Sequence, residues 1–216
     1  MIKIPEDLSK YRSILCLSGD LKGSLLRDIT TERSLPLVAA DGAANTLIQN
    51  GLSPSVIIGD LDSVDEQALR GRSYLKIESQ DSSDFEKALD YVERQSLTPT
   101  IIVGINGGYV DRVLENISIF SKTKFLAITK GIVIMMADGR KNLEVPIGTK
   151  ISIFGIPYCI LKSTGLKWEL DGAKLFIGGP NSCCNRTIYE EVLLEIWEGR
   201  AMIFVYTEII LDAGSI

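Results

Sequence analysis

Val56-Ile57-Ile58-Gly59-Asp60-Leu61-Asp62-Ser63 runs from an apolar triplet through a glycine into two carboxylates. The triplet predicts a short buried strand, and Gly59 allows the backbone to turn sharply where it ends. Asp60 and Asp62 stand at i and i+2, so in extended backbone they point to the same side. They are expected to converge at the carboxyl end of a strand, where open α/β sheets place their ligands. Two like charges so close repel unless a cation sits between them or one is protonated. A hard, oxygen-preferring ion such as Mg2+ answers that repulsion. The stretch therefore points to Mg2+-dependent chemistry on phosphate groups, against the plainer reading of a solvated Asp/Ser turn.

The surrounding sequence predicts an α/β sheet. Strands are expected at residues 13–17, 37–40, 56–58, 74–77, 100–103 and 125–129. Helices are expected at 25–31, 43–50, 65–70, 84–95 and 110–121. The last is expected to bury Val113, Leu114, Ile117 and Phe120 on one side. This alternation implies a mostly parallel sheet with helices on both faces. After Lys130 the pattern changes to short strands at 132–136, 142–145, 150–154, 159–162 and 174–177, with a hairpin over 192–208 turning at Glu198-Gly199. We read two domains: an α/β domain at 1–130 and an all-β, sandwich-like domain at 131–216.

Composition narrows the function. The chain has 216 residues, 45% hydrophobic content and a net charge of -5. It shows no Lys/Arg cluster, which argues against a nucleic-acid partner. It contains no histidine, which excludes His-based triads and the commonest zinc sites and general base. The four cysteines, Cys16, Cys159, Cys183 and Cys184, form no C-x-x-C pair. No stretch approaches the roughly 18 apolar residues of a membrane span. Residues 1–7 show no apolar signal core, so a cytoplasmic protein with free thiols is expected.

Three further strand-to-helix junctions carry candidate groups. Asp41-Gly42-Ala43-Ala44-Asn45 offers amides to an anion, or is simply a capped helix start. Gln80-Asp81-Ser82-Ser83-Asp84-Phe85-Glu86-Lys87 contains the Ser/Glu spacing of a capping box and places Lys87 on the face of Asp84. The capping box does not explain why this is the third acidic junction at one sheet edge. Gly104-Ile105-Asn106-Gly107-Gly108-Tyr109-Val110-Asp111-Arg112 is glycine-rich, and its freed amides suit a phosphate. Arg112 either meets that phosphate or pairs with Glu115. In the β region Trp168, one of two tryptophans, is either a core residue or a stacking face for a flat cationic ring.

Taken together, Asp-Gly-Ala-Ala-Asn, Gly-Asp-Leu-Asp-Ser, Asp-Phe-Glu-Lys-Ala-Leu, Gly-Gly-Tyr-Val-Asp and Thr-Gly-Leu-Lys-Trp-Glu-Leu resemble the thiamine pyrophosphokinase family, over nearly the whole chain from about Leu37. The resemblance implies transfer of pyrophosphate from ATP to the hydroxyl of thiamine, giving thiamine diphosphate and AMP. It implies an α/β domain plus a β-sandwich, working as a homodimer with sites at the subunit interface. By the same resemblance Asp60, Asp62 and Asp84 hold Mg2+, with Lys87 completing the catalytic set. Asp41, Asn45, Ser63, Gln80 and Asp111 line the nucleotide site, and Trp168, Cys184 and Asn185 meet thiamine. Tyr109 and Arg112 depart from the family's usual Arg and His/Gln. Asp84 and Asp111 are both candidates to take the proton of the alcohol. The rival readings are a pyrophosphokinase for another alcohol, such as a pterin, and a non-catalytic binder of nucleotide or thiamine diphosphate.

Overall fold

The computed structural model describes residues 7–32 and 34–207. The described residues divide into two compact units, one within Lys10–Lys130 and a strand-rich one of residues 131–207 together with residues 7–9.

The first unit is built on six parallel strands: β1 (Ser13–Cys16), β2 (Leu37–Ala40), β3 (Val56–Gly59), β4 (Tyr74–Lys76), β5 (Thr100–Val103) and β6 (Leu126–Thr129). Their spatial order is β6-β5-β1-β2-β3-β4. Every residue of β1, β2, β3, β5 and β6 is buried. Burial on both faces is why these strands read as apolar runs rather than as alternating patterns. The helices between them are α1 (Gly23–Glu32), α2 (Ala43–Gln49), α3 (Glu66–Leu69), α4 (Asp84–Arg94) and α5 (Val110–Ser121). Helix α4 buries Phe85, Ala88 and Val92 and packs against β1, β2 and β3. The chain leaves β1 toward β2 and leaves β5 toward β6 on the opposite side. The reversal falls between β1 and β5, a position at which open sheets bind ligands. Helix α5 is less buried than its periodicity predicts. Ile119 and Phe120 are covered, whereas Leu114 is 64% exposed.

The second unit is antiparallel, and its strands are longer than expected. They are β7 (Ile132–Glu144), β8 (Lys150–Thr164), β9 (Ala173–Phe176), β10 (Ser182–Arg186) and β11 (Glu191–Tyr206). The order is β10-β8-β11-β7, with β9 beside β8. Two pairs of predicted short strands are each one strand, β7 and β8. The predicted hairpin over 192–208 is also wrong: residues 192–206 lie on the single strand β11, and Glu208 lies outside the described residues. Glu198 and Gly199 do interrupt the pairing, but as a bulge, because the register shifts between Ile196 and Ala201. Gly199 has φ 71°, and a Cβ there would lie 2.1 Å from the Tyr158 carbonyl. A left-handed residue read locally suggests reversal. Here pairing to β7 and β8 on both sides carries the strand through, and the bulge bends it. Strand β10 went unpredicted because Ser-Cys-Cys-Asn-Arg has no apolar alternation.

Gly155 on β8 shows how tightly this unit is closed. A Cβ there would lie 2.1 Å from the Leu175 carbonyl on β9. Gly155→Ala is expected to destabilise the protein by about 1–3 kcal/mol, measured by urea denaturation.

Candidate active site

The candidate groups of the first unit stand past the carboxyl ends of β2 and β3 and at the start of α4. Asp41 follows β2 with φ 45°, a left-handed conformation that Asp tolerates. Its N–H donates to the Ile58 carbonyl of β3 at 2.7 Å, which fixes it against the neighbouring strand. Gly59 makes room for two carboxylates. A Cβ there would lie 2.9 Å from the Asp41 Cβ and 3.1 Å from an oxygen each of Asp41 and Asp84.

Asp60 and Asp62 do converge, though not by strand geometry. β3 ends at Gly59, and Leu61 is left-handed with φ 67°. The two aspartates come together on a turn, in which the Asp62 N–H donates to Asp60 Oδ1 at 3.3 Å. Gln80 donates to Asp60 Oδ2 at 3.1 Å, and Ser63 donates to Asp62 Oδ1 at 2.8 Å. Asn45, reaching from α2, donates to the Ser63 carbonyl at 2.9 Å and accepts from the Asp65 N–H at 2.9 Å. Asn45 thus braces the loop from its far side.

One carboxylate oxygen each from Asp41, Asp60 and Asp62 lies within 4.8 Å of the others. This differs from the expected trio of Asp60, Asp62 and Asp84. Asp41 takes the third place, and Asp84 Oδ1 instead accepts from the Lys87 ammonium at 3.1 Å. Lys87 is only 5% exposed. Ser83 and Glu86 form the predicted capping box, which sets the first turn of α4 and with it Asp84 and Lys87.

Electrostatics separate the members of the trio. The Gln80 amide, then the Asp62 N–H, hold Asp60 below the usual carboxylate range, with help from the Lys87 charge. Burial pushes Asp41 up, and the charges of Asp84 and Asp62 add to that. The Gly42 N–H and Ser63 hydroxyl pull the other way. Asp41 Oδ1 is buried and has no hydrogen-bond partner. A buried acceptor left unpaired is costly. A cation coordinated by the three carboxylates would satisfy it, and an all-oxygen donor set suits a hard divalent ion.

Asp111 stands exposed on the first turn of α5, where its Oδ1 accepts from the Arg112 N–H at 2.9 Å. It is not one of the gathered carboxylates. Sequence reasoning passed over the loop after β1. Gly19 meets the β5 loop so closely that a Cβ would lie 2.1 Å from the carbonyls of Gly104 and Asn106. These loops meet at the strand-order reversal, and Asn106 Oδ1 is also buried and unpaired. The signal was the glycine pair Gly19 and Gly107, one on each loop, which becomes meaningful only once β1 and β5 are known to be neighbours.

In the second unit Trp168 is 56% exposed, not a core residue. It borders a cavity of about 510 Å³ with Leu170, Lys174, Leu175, Ser182 and Cys183. Cys184 does not line it. The register shift between Ser182 and Asn185, with Cys184 at φ 57°, puts Cys183 there instead. Asn185 also borders the cavity but is 1% exposed. Its amide is fully engaged: Oδ1 accepts from the Trp168 and Arg186 N–H groups, and Nδ2 donates to the Trp168 carbonyl and Ser182 Oγ. No donor or acceptor of Asn185 remains for a substrate, contrary to expectation.

Residues 29–134 match the model of the thiamin pyrophosphokinase catalytic domain. Over that stretch the chain resembles the thiamine pyrophosphokinase family. A curated relative, the thiamine pyrophosphokinase of Bacillus subtilis, is 26% identical over 199 residues, covering 82% of this chain and 91% of its own. Thiamin pyrophosphokinase 1 of Caenorhabditis elegans is 26% identical over 180 residues, covering 73% and 74%. Among solved structures, yeast thiamin pyrophosphokinase superposes with a TM-score of 0.80 at 19% identity, covering 94% of this chain and 88% of that one. The similarity in fold agrees with an α/β domain followed by a β domain.

The raised Asp41 predicts a trade between stability and function. The folded chain holds the Asp41 proton more tightly than the unfolded chain. That contribution is present below the ordinary value of 3.8 and is lost as pH rises through the raised one. Asp41→Asn cannot ionise. At pH 8 in EDTA it is expected to melt at a higher temperature than the unsubstituted chain, while losing activity.

Proposed function

We propose that this chain transfers a pyrophosphoryl group from ATP to the hydroxyl of thiamine, releasing AMP and thiamine diphosphate. The observation that carries the reading is the trio Asp41, Asp60 and Asp62 around a buried, unpaired oxygen, within the segment that matches the family's catalytic domain. A pure nucleotide binder has no need of three converging carboxylates with a buried lysine behind them.

Asp41, Asp60 and Asp62 would hold Mg2+, which would supply positive charge to neutralise phosphate oxygens. The protein's own groups do the rest. Gln80 and Ser63 aim the carboxylates of Asp60 and Asp62. Asp84 holds the Lys87 ammonium in place, so that a second positive charge is fixed beside the site before the phosphates arrive. Asp84 is occupied by that ammonium, whereas Asp111 stands exposed at the start of α5, so we assign the proton of the alcohol to Asp111. Attack on the β-phosphorus needs attacker and leaving group in line, a matter of positioning more than of covalent help from the protein. On the β domain Trp168 offers its indole face to the cationic thiazolium. Lys167 lies 4.8 Å from the ring centroid, so the ligand takes the opposite face.

We further propose a cytoplasmic homodimer with its active sites at the subunit interface. The family resemblance supports this, as do the exposed Trp168, Phe176, Ile177 and Trp197 of the β domain. No helix among the described residues is long and apolar enough to cross a membrane.

The test is AMP release from Mg-ATP, with and without thiamine. Thiamine-dependent AMP with an equal amount of thiamine diphosphate is expected; AMP without thiamine diphosphate, or neither product, refutes the reading. Asp62→Asn and Lys87→Met are each expected to lower kcat by about a hundred-fold or more.

A further inference from the structure

We infer that Glu169 and Asn185 are positioning residues that hold Trp168 in the orientation thiamine binding needs. The inference rests on the reading of Trp168 as the stacking face. Trp168 sits in the short loop that joins β8 to β9, with its side chain largely in solvent. An exposed tryptophan on a loop presents a defined face only if its backbone is held.

Two side chains hold it from opposite sides. Glu169 folds back over the loop, and its Oε1 accepts from the Gly165 N–H at 2.7 Å and the Leu166 N–H at 3.0 Å. Its Oε2 accepts from the Ser163 hydroxyl. Ser163 in turn accepts from the Leu170 N–H at 2.8 Å, and its own N–H donates to the Leu170 carbonyl at 2.7 Å. The loop is thus closed at its base by Ser163 and Leu170 and filled by one carboxylate. From the β10 side, Asn185 grips Trp168 by both backbone groups, accepting from its N–H at 3.2 Å and donating to its carbonyl at 2.7 Å. The Lys167 N–H donates to the Arg186 carbonyl at 2.8 Å and completes the attachment. Gly165 permits the tight path. Its φ is 101°, and a Cβ would lie 2.5 Å from the Glu191 carbonyl. Neither Glu169 nor Asn185 needs to touch substrate for this role; each acts through Trp168.

The test is steady-state kinetics of the intact enzyme with Mg-ATP and thiamine for Trp168→Ala, Glu169→Ala, Glu169→Gln and the double variant W168A/E169A. Glu169→Ala is expected to raise KM for thiamine about ten-fold, with kcat changed less than about two-fold and KM for ATP unchanged. Glu169→Gln keeps an acceptor for Gly165 and Leu166 and is expected to recover most of the loss. The double variant is expected to be no worse than Trp168→Ala, since Glu169 has nothing left to position. Should Glu169→Ala fail to fold, Ser163→Ala removes the same carboxylate's third hydrogen bond, the one to Oε2, and is expected to raise KM about three-fold. Raised KM in Trp168→Ala but unchanged KM in Glu169→Ala overturns this inference alone. So does a double variant in which the two losses add in full. Unchanged KM in Trp168→Ala overturns the stacking assignment itself.

Discussion

Repulsion among carboxylates at the ends of β2 and β3 is the constraint on which the α/β domain depends. Asp41, Asp60 and Asp62 bring three carboxylates within 4.8 Å of one another, and Asp84 stands just behind. Nothing in folding alone favours this. The chain tolerates it because each carboxylate is braced: Asp41 by the N–H bond to β3, Asp60 by Gln80, Asp62 by Ser63 and Asp84 by Lys87. Two left-handed residues, Asp41 and Leu61, and the missing side chain at Gly59 are further concessions to the same arrangement. Strained backbone and an unpaired buried oxygen gathered at one place mark a site held ready for a charged ligand.

On the proposed reading the two domains divide the work. The α/β domain concentrates charge at strand ends, as phosphate chemistry requires. The β domain offers aromatic surface and a cavity, as an organic cation requires. Its long, bulged strands form the base from which a short loop carries the exposed Trp168.

Much of this was legible in the residues. The buried parallel strands announce themselves as apolar runs, and Ser83 with Glu86 announces the start of α4. What sequence could not convey was adjacency. Asp41 joins the trio because β2 lies beside β3, a fact of strand order that local spacing does not contain. Asp60 and Asp62 were placed together for the wrong local reason, since a left-handed Leu61 rather than extended backbone unites them. In the β domain, Gly199 reads locally as a reversal, yet pairing on both sides carries β11 straight on. Asn185 is expected at the ligand, yet its amide is engaged by four hydrogen bonds, two to Trp168 and one each to Ser182 and Arg186.

The most direct measurement is anomalous diffraction at the manganese edge from crystals grown with Mn2+ and a non-hydrolysable ATP analogue. The account predicts a peak coordinated by Asp41, Asp60 and Asp62, with phosphate oxygens completing the shell. A peak held by Asp84 without Asp41, or no peak at the trio, would contradict it.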